Sequence, residues 1–341
     1  MKVSTRLINT VIMVPAAAIS LVGGVAFASP NHGGYHNSPV TQVTQSTLNR
    51  AVSRRLLAPI RLRIDQWRAT SASSGNVGSM SLAPANGMSA GDATNGLSGW
   101  ASFTSGNADD DTPGLSYDSD VDTYSFGLDT QFNESLLGGV SLTIEDTEVR
   151  SDFNNGKSET DGYTIAPYIA YVIDETFSID GSAGYSWTET DMKRNNSAVS
   201  GSQDGNSYFL SVNANATHWI NSVNLTGRVG YLYSKSELDS FTESDTTRVS
   251  SSDSYLGQFQ FNATAAYYTE HVMPYFSATY EKDAKLTKVV GSPNDDSGMV
   301  YSIGANVYNY GPISGGLAYT LVSDRDNIDN DSWSANIAMQ F

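Results

Sequence analysis

Side chains suited to catalysis are few in this sequence. The chain contains no cysteine and four histidines, which are His32, His36, His218 and His271. Without cysteine there is neither a thiolate nucleophile nor a thiolate metal ligand. The histidines occupy three separate regions, and no arrangement of Ser, His and Asp suggests a nucleophilic triad. We therefore expect no catalytic residues, no cofactor and no enzymatic activity.

Aspartates are concentrated in two stretches that could bind a cation. Alternating carboxylates can ligate Ca²⁺ through their oxygens. Neither stretch has the order of an EF-hand loop, with its glycine and terminal glutamate. We therefore interpret both as solvated anionic loops and predict no metal site. The first contains Asp109, Asp110, Asp111, Asp118, Asp120 and Asp122, and the second contains Asp324, Asp326, Asp329 and Asp331.

The chain as a whole is acidic, with 36 acidic and 19 basic residues and a formal net charge of −17. A nucleic-acid partner requires a basic face, so we predict that the chain does not bind nucleic acid. One short segment has the opposite charge, because arginines accumulate between positions 50 and 68. These arginines are Arg50, Arg54, Arg55, Arg61, Arg63 and Arg68.

The arginine-rich segment also has helical spacing. Leu48, Val52 and Leu56 recur every four residues, which predicts a helix over about residues 41–69. Pro59 either interrupts this helix or starts a second helical turn. The residues that follow, up to position 96, are rich in Ser, Gly, Ala and Asn and are typical of a flexible linker.

The first 28 residues have the pattern of a secretory signal peptide. Lys2 and Arg6 precede an apolar stretch over residues 11–25, and small residues occupy the positions before Ser29 that a signal peptidase requires. The alternative is a transmembrane helix, but proline and glycine interrupt the apolar stretch. We therefore expect cleavage after residue 28 and signal-dependent export.

From residue 97 onward the pattern has a period of two. Segments of about ten residues alternate apolar and polar side chains, as membrane-spanning strands of an outer-membrane barrel do. Trp333, Ile337, Met339 and Phe341, for example, share one face of the last segment. The predicted strands are about 97–105, 121–131, 137–149, 162–173, 177–189, 206–218, 223–236, 254–267, 272–282, 299–308, 313–323 and 332–341.

The connections between these segments alternate strictly between short turns and long acidic loops. This asymmetry is typical of an outer-membrane barrel, with tight periplasmic turns and longer outer loops. A soluble β-sandwich would also alternate. We favour the barrel because aromatic residues cluster near strand ends and because the second face is too polar for a dry core. The sequence thus predicts an all-β fold, a 12-stranded antiparallel transmembrane β-barrel preceded by a helical segment.

Three parts follow from these patterns: a signal peptide over residues 1–28, a basic helical segment and linker over 29–96, and a barrel over 97–341. Because successive side chains of a strand point to opposite faces, the alternation predicts that Asp129, Glu145 and Asp180 point into the barrel. The basic helix could dock in the lumen with its arginines on such carboxylates. Otherwise it would be a periplasmic tail or an amphipathic helix on anionic lipid.

The entry into the barrel resembles the autotransporter β-domain. In that family an A-G-D-like element precedes a first strand with G-x-W-A, and this sequence has Ala90-Gly91-Asp92 followed by Gly99-Trp100-Ala101. A G-x-D strand and the following G-x-x strand start match Gly127-Leu128-Asp129 and Gly138-Gly139-Val140. The end, Ile337-Ala338-Met339-Gln340-Phe341, is similar to the family's aromatic C-terminal signature. The resemblance covers about residues 87–341.

The resemblance implies a pore threaded by a helix, with secretion of an upstream passenger. It favours the lumen for the basic segment and assigns the last strand, with Trp333, Ile337, Met339 and Phe341, to recognition by the insertion machinery. The segment before the barrel contains no β-helix-like repeat, so a large passenger is not expected.

We predict a barrel of the outer membrane of a Gram-negative bacterium that anchors or translocates a short N-terminal segment. A channel plugged by its helix is the alternative. The expected partners are outer-membrane lipid, including lipopolysaccharide, and the insertion machinery, and we expect a monomer.

Overall fold

The computed structural model describes residues 38–72, 96–288, 295–310 and 313–341. It contains one helix and a closed β-sheet. The predicted signal peptide and most of the predicted linker lie outside the described residues. The prediction of a 12-stranded antiparallel barrel with an N-terminal helix is confirmed.

Twelve long strands form the barrel, each antiparallel to the next along the chain. They are β1 Leu97–Asn107, β2 Tyr117–Asn133, β3 Leu136–Ser151, β4 Gly156–Val172, β5 Phe177–Arg194, β6 Val199–Ile220, β7 Val223–Leu238, β8 Ser252–Tyr267, β9 Val272–Leu286, β10 Ser297–Tyr310, β11 Ile313–Ser323 and β12 Ile328–Gln340. Closure is made by β1 on β12, with Ser98 opposite Gln340 and Gly106 opposite Ser332. Closing the sheet satisfies backbone groups that would otherwise be exposed at its edges.

Alternating exposure along the strands follows the predicted parity. In β3, Leu142 is 48% exposed and faces outward, whereas Thr143 and Glu145 are buried and face inward. The outward face is rich in large apolar and aromatic side chains, which a lipid-facing wall requires. The inward face consists mainly of small polar residues, so the lumen is polar.

The barrel has two distinct ends. At the turn end, the connections at residues 134–135, 173–176, 221–222 and 268–271 are short. At the loop end, the connections include 108–116 and 239–251, which carry the short strands Asp109–Asp110, Phe241–Thr242 and Arg248–Val249. The chain enters β1 and leaves β12 at the turn end.

Several predicted long loops are wrong in extent. Residues predicted as loop over 150–161 and 190–205 are mostly strand, with tight turns of four residues at 152–155 and 195–198. The reason is that pairing continues beyond the apolar zone, with Asp191 opposite Ser202, for example. Polar side chains on both faces remove the hydrophobic alternation there, but the backbone hydrogen bonds of the ladder persist.

Helix α1 runs without interruption from Val40 to Ala72 and contains Pro59 in its interior. The expectation that Pro59 would interrupt the helix or begin a new turn is therefore wrong. Proline in a helix interior costs about 3 kcal/mol. The helix is enclosed by the barrel, so packing of its other residues offsets this cost, and Pro59 itself borders a cavity where its ring is accommodated. Among the described residues, no helix combines the length and apolarity needed to cross a bilayer.

The lumenal helix as candidate functional site

Helix α1 lies inside the barrel and packs against the inner wall. Its large apolar residues contact inward residues of several strands, and Leu57, Ile60 and Ile64 are each only 1% exposed. The apolar contact surface is therefore wider than the stripe of Leu48, Val52 and Leu56 seen in the sequence. The wall residues of this cluster include Trp100, Leu137, Ala166, Tyr168, Phe209, Leu232 and Leu256.

The direction of the helix is fixed by contacts at both ends. At the loop end, Asn154 Nδ2 donates to the carbonyl of Ser38 at 2.9 Å and Thr41 Oγ1 donates to Gln203 Oε1 at 2.9 Å. Toward the turn end, Arg68 Nη1 donates to Ser178 Oγ at 3.1 Å. The N-terminus of the helix is therefore at the loop end and its C-terminus is at the turn end.

A buried ion pair holds the middle of the helix to β2. Arg63 Nε and Nη2 donate to Asp129 Oδ2 and Oδ1, each at 2.7 Å. Asp129 Oδ2 also accepts from the Tyr168 hydroxyl at 2.8 Å, which in turn accepts from Trp100 Nε1 at 2.8 Å. The carboxylate thus accepts three hydrogen bonds, two of them from a guanidinium group, which compensates its removal from water.

Two glycines make room for this arrangement. A Cβ on Gly139 would lie 2.6 Å from the Tyr168 ring, and a Cβ on Gly127 would lie 2.1 Å from the Trp100 ring. Both aromatic rings therefore lie flat on the wall where a side chain is missing. This close approach brings the Tyr168 hydroxyl to Asp129.

A second charged cluster lies nearer the loop end. Arg50 Nη2 donates to Asp283 Oδ2 at 2.6 Å, and Arg54 Nη2 donates to Glu281 Oε2 at 2.8 Å. Arg325, from the β11–β12 turn, contacts both carboxylates, at 3.2 Å from Asp283 and 3.1 Å from Glu281. Two carboxylates and three guanidinium groups thus join the helix, the wall and a turn.

The remaining helix arginines use mostly neutral partners. Arg55 Nη2 donates to the carbonyl of Asn107 at 2.8 Å. Arg61 Nη2 donates to Gln260 Oε1 at 2.6 Å and to Ser211 Oγ at 3.3 Å. Arg68 contacts Asp65, one turn earlier in the helix.

The structure places the three sequence-predicted acids inward, but only Asp129 contacts an arginine directly. Glu145 accepts from Thr147 at 3.0 Å. Asp180 accepts from Asn213 and Asn215, each at 2.7 Å. Of the carboxylates expected to face the arginines, Asp129 therefore forms the direct ion pair. Glu145 lies near Arg55, and Asp180 lies near Arg61 and Arg68, without direct contact.

Sequence reasoning missed three lumenal charges, which are Glu281, Asp283 and Arg325, and placed a fourth, Arg228, on the polar face of β7 without assigning it a partner. The parity of β9 would have placed Glu281 inward, since Phe276 and Tyr280 face outward. Arg325 carried no such signal, because it lies in a turn. That turn has positive φ of 58° at both Asp324 and Asn327, which directs Arg325 back into the lumen.

The acidic stretches at the loop end are structured by their own backbone. Asp110 Oδ1 accepts from the Thr112 backbone N–H at 2.9 Å, and Asp109 Oδ1 accepts from the Ser119 N–H at 2.8 Å. A further buried ion pair joins Arg194 to Glu243 at 2.7 Å. In the part of the chain that the structure describes, no group of three His, Asp or Glu side chains is arranged to hold a metal.

The predicted insertion signal lies on the lipid-facing side of β12. Its large side chains are exposed at 64% for Trp333, 53% for Ile337, 41% for Met339 and 72% for Phe341. They form one continuous apolar row. A role of this row in assembly remains a prediction.

Comparison with known proteins agrees with this geometry. The family model of the autotransporter β-domain matches residues 98–320, which is more than half of the chain. Among curated proteins, the BmaC autotransporter adhesin of Brucella suis is 32% identical over 167 residues, which cover 44% of this chain. The match spans only 5% of that adhesin's length.

Solved structures show the same fold. The translocator domain of the autotransporter NalP from Neisseria meningitidis is 16% identical, with a TM-score of 0.64, covering 87% of this chain and all of that domain. The β-domain of the Bordetella autotransporter BrkA is 16% identical, with a TM-score of 0.61, covering 72% of this chain and all of that domain. Such domains are outer-membrane proteins of Gram-negative bacteria. This chain belongs to the autotransporter β-domain family, and its helix lies inside the barrel.

Proposed function

We propose that this barrel carries the segment upstream of helix α1 to the cell surface and then retains it there, with the helix left in the lumen as a plug. The observation that supports the proposal is the direction of the helix. Ser38 and Thr41 lie at the loop end, and Arg68 lies toward the turn end. If the longer loops face outward, as in outer-membrane barrels, the chain before the helix leaves the pore on the outer side.

The contacts of the helix favour permanent retention over a channel with a removable plug. Buried carboxylates hold Arg63 to β2 and hold Arg50 and Arg54 to β9. Removing a guanidinium from such a carboxylate leaves an uncompensated buried charge. A channel that opened by expelling the helix would have to break all three pairs.

An epitope inserted after His36 tests the proposal on intact cells. We expect antibody binding without permeabilisation, and removal of the epitope by external protease. The control is the same epitope inserted between Ala72 and Ser73, which should be accessible only after the outer membrane is opened. Accessibility of the second epitope but not the first would contradict the proposal.

Export by the signal peptide is part of the same proposal. The charge and apolar pattern of residues 1–28 supports cleavage before Ser29. Mass spectrometry of the protein from outer membranes should find Ser29 as the mature N-terminus. Retention of the first 28 residues in the membrane-inserted barrel would contradict this part.

The expected partners follow from the surface of the barrel. The exposed apolar wall requires outer-membrane lipid, including lipopolysaccharide, and the apolar row of β12 is suited to recognition by the insertion machinery. The barrel closes on itself without a second copy, which supports a monomer. Molar mass in detergent by light scattering should correspond to one chain, and a stable dimer would contradict this expectation.

A further inference from the structure

The lumen contains a cavity of about 440 Å³ between helix α1 and the wall. Arg54, Arg61 and Arg68 border it from the helix, and Arg228 borders it from β7. Much of the remaining wall consists of Ser, Thr and Asn side chains. The lining extends to Glu134 in a turn-end connection, so the cavity reaches the turn end of the barrel.

Positive charge exceeds negative charge deep in this cavity. Arg68 and Arg228 both contact the same oxygen of Asp65, so one carboxylate serves two guanidinium groups. Among the described residues, Arg61 donates to Gln260 and Ser211, which are both neutral. Its Nε atom is buried and has no hydrogen-bond partner among the described residues.

Other acids reduce this excess but do not remove it. Asp180 accepts hydrogen bonds from Asn213 and Asn215 and places one negative charge near Arg61, Arg68 and Arg228 without contacting them, so three guanidinium groups face two carboxylates. Glu281, which borders the cavity from the loop side, is already bound by Arg54 and Arg325. In the described part of the chain, Arg68 and Arg228 therefore share Asp65 as their direct carboxylate contact, and Arg61 has no direct carboxylate contact.

We propose that this cavity binds a small oxyanion, of the phosphate class, between Arg61, Arg68 and Arg228. Guanidinium groups present paired N–H donors that match the oxygens of phosphate, and such charge-assisted bonds are stronger than neutral ones. Hydroxyl and amide side chains of the wall supply further donors. The volume accommodates a phosphate ion with several waters, and the anion enters from the turn end.

Acids at the mouth oppose entry but do not prevent it. Glu134, Asp174 and Glu175 border the cavity at the turn end and are exposed to solvent. At physiological salt, charges in water are screened beyond about 8 Å. The acids at the mouth should therefore lower the rate of phosphate binding more than its affinity, whereas the interior arginines determine the affinity.

Titration calorimetry of the folded full-length chain in detergent, with inorganic phosphate at constant ionic strength, tests this inference. We expect saturable binding of one phosphate per barrel. Arg61→Gln and Arg228→Gln should each weaken it about tenfold, as loss of a charged hydrogen bond predicts. Arg150→Gln on the outer surface, and Glu175→Gln at the mouth, should not weaken it. Each variant is first checked for the gel-mobility shift on boiling that closed barrels show.

A second measurement is the thermal midpoint. Phosphate should raise it more in the unmodified chain than in Arg61→Gln, because non-specific stabilisation by the salt acts on both chains alike. Absence of saturable binding to the unmodified chain would overturn the inference, as would phosphate affinities in Arg61→Gln and Arg228→Gln that equal that of the unmodified chain. Neither result would affect surface display of the upstream segment, which is measured separately on cells.

Discussion

Arg63 on the lumenal helix and Asp129 on β2 form a bidentate ion pair, with both N–O distances at 2.7 Å. The side chains of both residues are at most 8% exposed. Asp129 Oδ2 also accepts a hydrogen bond from the Tyr168 hydroxyl, which holds the carboxylate in one orientation. The buried ion pair therefore fixes the rotation of the helix about its own axis. The pair therefore links the position of the helix to the register of the barrel wall.

Breaking this pair should loosen the helix. Asp129→Ala leaves Arg63 buried without its carboxylate, which we expect to destabilise the docked state by about 3–5 kcal/mol. Tyr168→Phe removes two hydrogen bonds, one to Asp129 and one from Trp100, and should cost about 1–3 kcal/mol. Urea unfolding measures both changes, and single-channel recording should show frequent openings in Asp129→Ala.

The matched control removes both charges. In the double variant Arg63→Met with Asp129→Leu, no unpaired charge remains, so its destabilisation should be clearly smaller than that of Asp129→Ala. If the double variant were as unstable as the single one, packing around these residues would matter more than their charges.

The lipid-facing wall gives a prediction with an internal comparison. Val229 faces outward and is 52% exposed, whereas Thr226, on the same strand, borders the lumenal cavity. Val229→Arg should cost about 2–4 kcal/mol of folding free energy in lipid, since it places a charge in hydrocarbon. Thr226→Arg should cost less. Unfolding from lipid vesicles measures both, and equal costs would contradict the assignment of the two faces.

Much of the barrel was predictable from the sequence, and its limits have a physical origin. Where one face of a strand meets lipid, apolar outward residues such as Val229 alternate with polar inward residues such as Thr226, and this pattern identifies the membrane strand. Beyond the lipid, residues such as Glu189 and Asp191 are polar like their inward neighbours, so the outer strand extensions carried no such mark.

The partners of the arginines were harder to predict than the strands. Parity fixes which way Glu145 or Asp180 points, but which arginine reaches it depends on the rotation and depth of the helix. Three-dimensional packing alone determines these features.

A row of acidic side chains crosses four strands near the loop end. Asp122 lies opposite Asp146, Asp146 opposite Asp161, and Asp161 opposite Glu189. Like charges that face one another across strands destabilise a sheet. Asp146→Asn should therefore raise the thermal midpoint, by a free energy of about 0.2–1 kcal/mol, and high salt should reduce the gain.

The neighbouring residue Glu148 provides the control. It is bound by Arg150 and, at 3.0 Å, by Lys157. Glu148→Gln removes the attraction to Arg150 and Lys157 as well as the repulsion between Glu148 and nearby carboxylates, so it should not stabilise the barrel. A gain in Glu148→Gln equal to that in Asp146→Asn would show that the repulsion between facing carboxylates is not the cause.

Deleting Phe341 should reduce assembly into the outer membrane. Its backbone N–H donates to the Leu97 carbonyl at 3.0 Å, next to the closure of the barrel. Its ring also completes the apolar row with Trp333, Ile337 and Met339. The measured quantity is the amount of heat-modifiable barrel in outer membranes, with Phe341→Tyr as the control that keeps an aromatic ring. Normal levels of the deleted form would argue against a role in insertion.

Cross-linking of the helix to the wall tests its place and direction most directly. Since the chain contains no cysteine, two introduced cysteines report only on each other. Ser234 Oγ donates to Asn49 Oδ1 at 2.8 Å, so Asn49→Cys with Ser234→Cys should be joined by oxidation or by a short bifunctional thiol reagent in the membrane-inserted protein. Asn49→Cys with Ser178→Cys, near the turn end, should not react. Failure of the first pair, or reaction of the second in its place, would contradict a helix held in the lumen with its N-terminus at the loop end.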